Sequence, residues 1–423
     1  MTDPAEAGEF ENIMATKAIR PVFQPIISLA TNRVAGYEAL ARGPSGSTLS
    51  TPRELFSRAR NLGRLADLDW LAQAAAYRAA LTAQLPKDVP LFVNVEPSAL
   101  RSACPPNLAP IIDQAAQELQ IVIEITERSL GDDPAALLES VALMRERSAR
   151  IAIDDVGVNP SSLALMSLLG PDVIKIDRSV VQGRTTRATA KVVNAVMAES
   201  DRTGAVILAE GIENEDHLRT ALSMGATLGQ GWLFGRPGPL PARHELPGNH
   251  LPRHEPAKSS AGTPFDVAQR RHTPVRTTKQ RLLPLSNHIE AMGSQAPEAM
   301  VLLATFQQQQ YFDDATRHRY TAMAAGGALT AVFAQDMPAE PAKGIHGCPL
   351  DPADPLIGEW TVIILNSYFA GALFAKEVPS ALPDPQREFD MIVSYDRATI
   401  TEAAHQLLHR MPPTSSPVEN AQG

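Results

Sequence analysis

The chain has 423 residues, which predicts two or three domains. Hydrophobic residues make up 44% and charged residues 20%, so a normal globular core is available, and the net charge of -9 argues against DNA as a partner. Cys104 and Cys348 lie far apart, which indicates structural thiols in a reducing compartment. With no apolar signal region and no long apolar run, we expect a cytoplasmic protein without a membrane span.

Short apolar runs alternate with longer amphipathic segments from about residue 20 to 240. The runs are PVFQPII, RVAGYEAL, PLFVNV, IVIEIT, IAIDD, DVIKID and AVILAE. Continuous apolar runs suit strands that are buried on both faces, and segments such as PAALLESVALMRERSAR have helical periodicity. The alternation predicts an α/β fold, either a barrel or a doubly wound sheet.

Residues 243–281 differ in composition from what precedes them. They contain five prolines, four of the ten histidines and many basic residues without an apolar period, so we interpret them as a flexible linker. The histidines have no metal-ligand spacing.

A second apolar pattern extends from 282 to 411. It includes VLLATF, LTAVFA, EWTVIILNSYFAGALFAKE and FDMIVSYD, followed by a helical pattern, ATITEAAHQLLHR. The segment around Asn366 and Ser367 predicts a hairpin, and the whole predicts a smaller α+β domain with an antiparallel sheet. Residues 412–423, which include three prolines, predict a disordered tail.

A polar side chain follows the apolar residues at the end of each predicted strand of the first region. These residues are Glu38, Asn94, Glu124, Asp154 with Asp155, Lys175 and Glu210. In a barrel such strand ends converge on one rim, where these folds have their active sites. A single strand-end carboxylate often caps the next helix, but six polar ends in register favour a functional site.

The types of residue narrow the chemistry of this predicted site. The strands contain no histidine, and we find no Ser-His pair, Cys-His pair or glycine-rich phosphate loop. Carboxylate and amide oxygens suit hard divalent cations such as Mg²⁺ or Mn²⁺. Two ions that share Asp154 could activate a water for attack on a phosphodiester, and Lys175 could stabilise a phosphate oxygen.

These motifs resemble the EAL domain family over residues 12–242. The matching stretches are QPI (24–26), YEALAR (37–42), VN (93–94), IEITE (123–127), IDD (153–155), IKID (174–177), LAEGIE (208–213) and QG (230–231). The resemblance implies a TIM-like (β/α)8 barrel with one strand antiparallel to the others. It also implies hydrolysis of cyclic di-GMP to linear pGpG, two Mg²⁺ or Mn²⁺ ions, and a homodimer formed through the barrel.

The resemblance also implies a role for each matching residue. The implied metal ligands are Glu38, Asn94, Glu124 and Asp154 for one ion, and Asp154, Asp155 and Glu210 for the other. Lys175 would contact the attacking water or the phosphate, and Glu213 would support the water network. Gln230 would lie near the site, and Arg42 would contact a substrate phosphate. Glu127 would anchor the loop after Asp155. The alternatives are a surface ion pair for Arg42 and helix-start or turn positions for Glu213 and Gln230.

The loop after Asp155 departs from the family pattern. Active members usually read DDFGTGYSSL, whereas this chain reads DDVGVNPSSL. Asn159 then fits a helix N-cap with Pro160 at the first helical position, which predicts a stiffer loop of different shape. The change at Val156, Val158, Asn159 and Pro160 bears on rate and second-metal affinity, while the ligand set is intact.

The C-terminal region resembles the DICT sensory domain. The matching stretches are LSNHIE (285–290), VLLATFQ (301–307), RHRY (317–320), EWTVIIL (359–365) and FDMIVSYD (389–396). The alternative for this region is a partner-binding or dimerisation module. For the whole chain, the leading hypothesis is a cyclic di-GMP phosphodiesterase regulated by a C-terminal sensor whose ligand is unknown. The alternatives are a cyclic di-GMP receptor or protein-interaction module without useful turnover, and a metal-dependent barrel enzyme with another phosphorylated substrate.

Overall fold

The computed structural model describes residues 4–96, 99, 101–127, 134–159, 163–243, 251, 262–294 and 299–412. These residues form two compact units. Unit 1 lies within Met1–Ser129, Ser140–Val158 and Pro171–His254, and unit 2 lies within Leu130–Glu139, Asn159–Gly170 and Glu255–Gly423. Among the described helices, none is long and apolar enough to cross a membrane. Both cysteine thiols are free.

Eight strands of unit 1 form a closed barrel in chain order. They are β1 (Arg20–Ser28), β2 (Arg33–Arg42), β3 (Leu91–Asn94), β4 (Ile121–Thr126), β5 (Arg150–Val156), β6 (Val173–Ile176), β7 (Val206–Ala209) and β8 (Leu228–Gln230). β1 pairs antiparallel with both β2 and β8, and the pairs from β2 to β8 are parallel. The prediction of a TIM-like barrel with one antiparallel strand is therefore confirmed.

Helices follow most of the barrel strands. α1 (Pro4–Thr16) precedes β1, and the helices that follow strands are α2 (Pro52–Asn61), α3 (Leu65–Thr82), α4 (Ala109–Glu118), α5 (Pro134–Glu146), α6 (Leu163–Leu169), α7 (Arg178–Gln182), α8 (Arg187–Thr203) and α9 (Glu215–Ser223). Local sequence sets their starts: Thr51 and Glu54 form a capping box at α2, and Asn214 caps α9. The structured region begins before residue 12, because Phe10 of α1 is fully buried.

Two apolar clusters stabilise the barrel. One lies between the strands and the outer helices, and it joins Phe10 of α1, Leu68 of α3 and Leu91 of β3. The other takes one apolar side chain from most strands, including Ile26, Phe92 and Val122. Because the strands are covered on both faces, they read as largely apolar runs, and the polar residues Glu38, Glu124 and Asp154 lie in the C-terminal halves of their strands.

Unit 2 contains a mixed seven-stranded sheet with the order β12-β11-β10-β13-β14-β15-β9. The strands are β9 (Val275–Thr278), β10 (Val301–Gln308), β11 (Leu329–Gln335), β12 (His346–Pro349), β13 (Glu359–Leu365), β14 (Ala370–Val378) and β15 (Glu388–Ser394). The helices outside the barrel sequence are α10 (Pro264–Gln269), α11 (Lys279–Ser294), α12 (Asp314–Ala324) and α13 (Arg397–Leu408). The α+β prediction is confirmed, but the pairs β10–β11 and β11–β12 are parallel, so the sheet is not wholly antiparallel.

The hairpin predicted around Asn366 is present between β13 and β14. Leu365 pairs with Ala370, and the Asn366 N–H donates to the Phe369 carbonyl oxygen at 2.9 Å. The Asn366 side chain also accepts from the Tyr368 and Phe369 N–H groups, which is the local geometry that favours asparagine in turns. Of the predicted tail over 412–423, only Pro412 lies within the described residues.

The predicted linker over 243–281 was wrong from Thr263 onward, which is about half of its length. Thr263 and Asp266 form a capping box at α10, where Phe265 and Val267 are buried, and β9 pairs with β15. Proline and basic residues masked this pattern in the sequence, because a six-residue helix and an edge strand bury only a few side chains each. Of residues 244–261, only Leu251 lies within the described part of the chain.

Glu359 of β13 joins α10 to the sheet of unit 2. It is fully buried, and its carboxylate accepts hydrogen bonds from the Thr263 hydroxyl and the Phe265 N–H. Burial raises the pKa of Glu359 from 4.5 to about 7. A neutral carboxyl is therefore favoured in the folded state over a wider pH range than in the unfolded chain.

We expect this raised pKa to make unit 2 less stable as the pH increases. The stabilisation is fully present below the unfolded pKa of 4.5 and is lost as the pH rises through about 7, for a total of roughly 3 kcal/mol. Glu359→Gln should flatten this dependence in urea unfolding between these pH values, whereas Glu340→Gln, at an exposed position, should not. An unchanged slope in Glu359→Gln would contradict the assignment.

Candidate metal centre

The barrel brings the polar strand ends together at one rim. Asn94, at the end of β3, donates from its side-chain amide to Glu38 Oε1 at 3.1 Å and to Glu124 Oε2 at 2.9 Å. Register explains the proximity, because Asn94 pairs with Glu124 across neighbouring parallel strands and Glu38 pairs with Phe92. Glu38 and Glu124 are buried, and Asn94 is exposed to the rim.

Lys175 of β6 lies at the centre of the carboxylate group. Its Nζ lies 2.6 Å from Glu124, 2.7 Å from Glu210, 2.8 Å from Asp154 and 3.8 Å from Glu38. The side chain is fully buried. One ammonium group therefore faces four carboxylates, which leaves excess negative charge if all four are ionised.

The excess charge and the burial shift the pKa values of the group. Burial lowers the pKa of Lys175, but attraction to Asp154 and Glu124 outweighs this effect and raises that pKa well above its ordinary value. Burial, together with the neighbouring carboxylates, raises the pKa of Glu124 and of Glu210 well above 4.5. Burial and the charge of Asp154 raise the pKa of Asp155 to about 6. An added cation would lower these carboxylate pKa values.

Two groups of carboxylate oxygens fit divalent cations. Glu38, Glu124 and Asp154 each offer one oxygen within 4.8 Å of the others, and so do Asp154, Asp155 and Glu210. Asp154 belongs to both groups, and Asn94 adds an amide oxygen beside the first. Oxygen donors with excess negative charge are the donor set that Mg²⁺ and Mn²⁺ prefer. The residues therefore fit the two predicted ions.

The loop after Asp155 has a left-handed backbone at two positions. Asp155 has φ 58° and Gly157 has φ 108°, and the ladder between β5 and β6 shifts register between Ile153 and Val156. The Gly157 N–H donates to the Glu127 carboxylate at 3.1 Å, and the Glu127 N–H donates to the Asp154 carbonyl oxygen at 2.9 Å. With this backbone, a carboxylate oxygen of Asp155 lies within 4.8 Å of oxygens of Asp154 and Glu210. The predicted N-cap at Asn159 stays a prediction, because residues 160–162, where that helix would start, lie outside the described residues.

Gly157→Ala should disturb this loop by steric clash as well as by backbone strain. A Cβ at this position would lie 2.6 Å from Val180 Cγ2 and 3.2 Å from Val192 Cγ1. We expect a loss of roughly 1–3 kcal/mol in the free energy of unfolding and weaker Mn²⁺ binding. Gly204→Ala is the matched control, since Gly204 has φ 78° but an added Cβ would meet no atom within 4 Å. Equal melting temperatures for the two variants would contradict the clash.

A cavity of about 570 Å³ opens beside the carboxylates. Of the predicted site residues, it is lined by Glu38, Asn94, Asp154, Asp155, Glu210, Glu213 and Gln230. Gln230 donates to Gln24 Oε1 at 3.2 Å and to the Glu38 carboxylate, while Glu213 is exposed. Arg42 donates to the Ala41 carbonyl oxygen and is not among the lining residues, nor is the buried Lys175.

The cavity also has lining residues that the motif analysis missed. They are the basic residues Arg53 and Arg178, the α3 residues Asp69 and Gln73, and the aromatic residues Phe56 and Trp232. Trp232 is 54% exposed, and the Arg236 guanidinium lies 4.1 Å from its ring centroid. Arg178 follows IKID, and Trp232 follows QG, so proximity to a motif was the available signal for these two.

Asp69 is a buried acid in this wall. It accepts from the Gln73 side chain at 2.7 Å and from the Glu96 N–H at 3.3 Å. Burial raises its pKa to about 8, so it can be neutral near pH 7. Its place in a helical pattern of mostly apolar residues gave no sequence signal for a site.

Comparison with known proteins identifies the family. The family model described as EAL domain matches residues 8–237, more than half of the chain. The chain belongs to the EAL family. A second model, the sensory domain in diguanylate cyclases and two-component systems (DICT), matches residues 265–378. This EAL protein thus joins a barrel to a region that matches a sensory domain.

Similar proteins include two bacterial relatives and a solved structure. The chain is 30% identical over 232 residues to the uncharacterised protein y4lL of Sinorhizobium fredii and 31% identical over 230 residues to the cyclic di-GMP phosphodiesterase RocR of Pseudomonas aeruginosa. Each match covers 53% of this chain, but 27% of y4lL and 58% of RocR, so less than two thirds of either relative. Klebsiella pneumoniae BlrP1, solved as a manganese and cyclic di-GMP complex, is 28% identical with a TM-score of 0.46 over 52% of this chain and 56% of BlrP1.

Proposed function

We propose that this EAL protein hydrolyses cyclic di-GMP to linear pGpG with the help of divalent cations. The observation that carries the proposal is the pair of carboxylate groups that share Asp154 beside a cavity of about 570 Å³. Pockets of this volume accommodate drug-sized ligands. The activity in the name of RocR, which is 31% identical to this chain over 230 residues, supports the same substrate.

The residues would divide the binding of cations as follows. Glu38, Asn94, Glu124 and Asp154 would hold one ion, and Asp154, Asp155 and Glu210 the other. When bound, Mg²⁺ or Mn²⁺ supplies Lewis acidity that activates water and stabilises charge on a phosphodiester. Asn94 positions the first set, because its amide contacts both Glu38 and Glu124.

Other residues of the chain would serve the substrate. Arg53 and Arg178 line the cavity and place positive charge where a phosphate could bind. Phe56 and Trp232 offer apolar faces to a base, and Asp69 with Gln73 offers hydrogen-bonding groups. Lys175 holds the carboxylates together and neutralises part of their charge. Three contacts remain predictions. They are those of Lys175 with the attacking water or the phosphate, of Glu213 with the water network, and of Arg42 with a phosphate.

The test uses the full chain with cyclic di-GMP and Mg²⁺ or Mn²⁺, followed by chromatography for pGpG. We expect pGpG to accumulate, and EDTA to abolish it. Calorimetry with cyclic di-GMP in Ca²⁺ measures binding separately. Failure to form pGpG at any Mg²⁺ or Mn²⁺ concentration would contradict the proposal.

One observation favours the second candidate function, a cyclic di-GMP receptor. The loop DDVGVNP departs from the family pattern directly after Asp155, and its Val158 is 49% exposed. Changes to residues that support metal ligands commonly cost roughly 10- to 100-fold in affinity or activity. Replacing VGVNP by FGTGY should therefore raise turnover or lower the metal concentration required. Binding of cyclic di-GMP without pGpG formation would establish the receptor.

Regulation by the C-terminal region is also part of the proposal. The match to a sensory domain supports it. The test is turnover by the full chain with and without the small-molecule fraction of a cell extract, with a heat-treated fraction as the control for labile components. Rates that never change would contradict regulation. A homodimer formed through the barrel stays a prediction, which analytical ultracentrifugation would test.

A further inference from the structure

Unit 2 contains a cavity of about 240 Å³ at the carboxyl end of β10. Ligands of open sheets with parallel strands commonly bind at such strand ends. The walls come from α11, the end of β10, the start of α12, β13 and the residue before β15. The lining residues that carry the argument are Leu283, Asn287, Phe306, Gln307, Tyr311 and Trp360.

The backbone at this strand end is strained. Gln307 has φ 61°, and the β10–β11 ladder shifts register between Thr305 and Gln308. The buried Gln307 side chain is fixed at both ends, since its carbonyl accepts from Arg387 at 3.0 Å and its NH₂ donates to Glu377 at 2.9 Å. A left-handed backbone is unfavourable for a residue other than glycine, and such strain concentrates at functional sites.

Three partly buried aromatic rings form pre-positioned walls. Phe306 packs edge-on against Phe312, with ring centroids 5.2 Å apart, and Trp360 packs edge-on against Phe389 at 6.2 Å. The Tyr311 hydroxyl accepts from Arg387 at 3.3 Å. Lys279 Nζ and the Arg387 guanidinium lie 4.9 Å and 5.6 Å from the Tyr311 ring centroid, so this ring already has cationic neighbours. Because Phe306 and Trp360 are held by their edge-on partners, a planar ligand could stack on these two rings at little entropic cost.

The cationic groups that line this cavity already have carboxylate partners. Lys279 pairs with Asp384 at 2.7 Å, Arg319 pairs with Glu290 at 3.0 Å, and Arg387 pairs with Glu377. A strongly anionic ligand would have to displace these partners. The remaining polar groups include the exposed Asn287 and Gln310 amides, which can both donate and accept hydrogen bonds. The Gln310 NH₂ already donates to Gln308 Oε1 at 2.7 Å, so its second N–H and its carbonyl oxygen are the groups offered to a ligand.

We propose that this cavity binds a small, uncharged, planar nitrogen heterocycle, of the size of a free purine or an indole. A cavity of about 150 Å³ takes benzene, so 240 Å³ suits a bicyclic ring of about ten heavy atoms. The aromatic walls recognise the ring faces, and the amides of Asn287 and Gln310 recognise the polar edge. The ligand of the C-terminal unit is thereby assigned to a chemical class.

The test is calorimetry of the full chain with adenine and with indole, and with benzoate and isoleucine as anionic and aliphatic controls. Leu283→Trp should fill the cavity, because Leu283 lines it and is 46% exposed on α11. Leu285→Trp is the matched control on the same helix, since Leu285 is 41% exposed and is not a lining residue. We expect at least about tenfold weaker heterocycle binding in Leu283→Trp and unchanged binding in Leu285→Trp.

A second measurement covers the case in which Leu283→Trp fails to fold. Adenine should quench tryptophan fluorescence in the wild type, and this quenching should be lost in Trp360→Phe while calorimetric binding persists. Absence of binding by both heterocycles, equal binding by Leu283→Trp and the wild type, or preference for benzoate or isoleucine would overturn the proposal. Binding here is independent of pGpG formation, so its failure is distinguishable from failure of the proposed phosphodiesterase activity.

Discussion

Glu38→Ala is expected to reduce hydrolysis of cyclic di-GMP roughly a thousandfold or more, which corresponds to about 4 kcal/mol of activation free energy. Glu38 supplies one of the three oxygens of the first carboxylate group and accepts from Asn94 and Gln230. Its loss leaves the ion with fewer ligands and releases Asn94 from one of its two partners. Folding should survive, because the residue lies at the rim. Turnover and Mn²⁺ affinity by calorimetry are the measurements.

The control for Glu38→Ala is Glu118→Ala, which removes an exposed carboxylate at the end of α4. This variant should keep both turnover and Mn²⁺ affinity. Circular dichroism of both variants separates loss of the site from loss of the fold. Wild-type turnover in Glu38→Ala would show that the motif assignment is wrong.

Lys175→Met is expected to abolish turnover and to lower the free energy of unfolding by roughly 3–5 kcal/mol. Nζ of Lys175 is the cation that faces Glu38, Glu124, Asp154 and Glu210, and the side chain is fully buried. Methionine keeps much of the volume but leaves the carboxylates to repel one another. Since Mn²⁺ would replace the missing positive charge, it should raise the melting temperature of the variant more than that of the wild type.

Lys87→Met is the control for this prediction. Lys87 is exposed, and its Nζ donates to the Gln117 carbonyl oxygen at 2.7 Å. Its loss removes a surface charge and this surface hydrogen bond, but it leaves the buried carboxylates with their counter-ion. Both proteins are followed by thermal unfolding with and without Mn²⁺. A melting temperature for Lys175→Met that equals the wild type without metal would refute the role of Lys175 as the internal counter-ion.

Much of the barrel was predictable because buried parallel strands appear in the sequence as short, continuous apolar runs. Asn94, Glu124 and Asp154 each follow a run of apolar residues and lie thirty residues apart. This spacing of about one strand and one helix predicted that their side chains meet at one rim of a barrel. β8 was missed because it has three residues, Leu228–Gln230, too few to show a period. Its Gln230 came only from the family motif.

The rest of the site depended on tertiary contacts. Asp69 faces the cavity from a mostly apolar helix, and no local pattern separates it from a surface acid. The loop after Asp155 was interpreted from the sequence through Asn159 and Pro160, whereas the left-handed positions are Asp155 and Gly157, both of which match the family pattern. Backbone angles at a bulge follow from the pairing of two strands, which one segment cannot reveal.

Asp155 also implies a trade-off between heat resistance and activity. Its left-handed backbone and its repulsion by Asp154 both cost stability in the absence of metal. Asparagine tolerates the same backbone angles without the charge, so Asp155→Asn should melt at a higher temperature in EDTA yet bind Mn²⁺ more weakly. An equal or lower melting temperature would contradict this view. Directed evolution that selects for thermostability alone would therefore replace Asp155, and only selection for turnover would retain it.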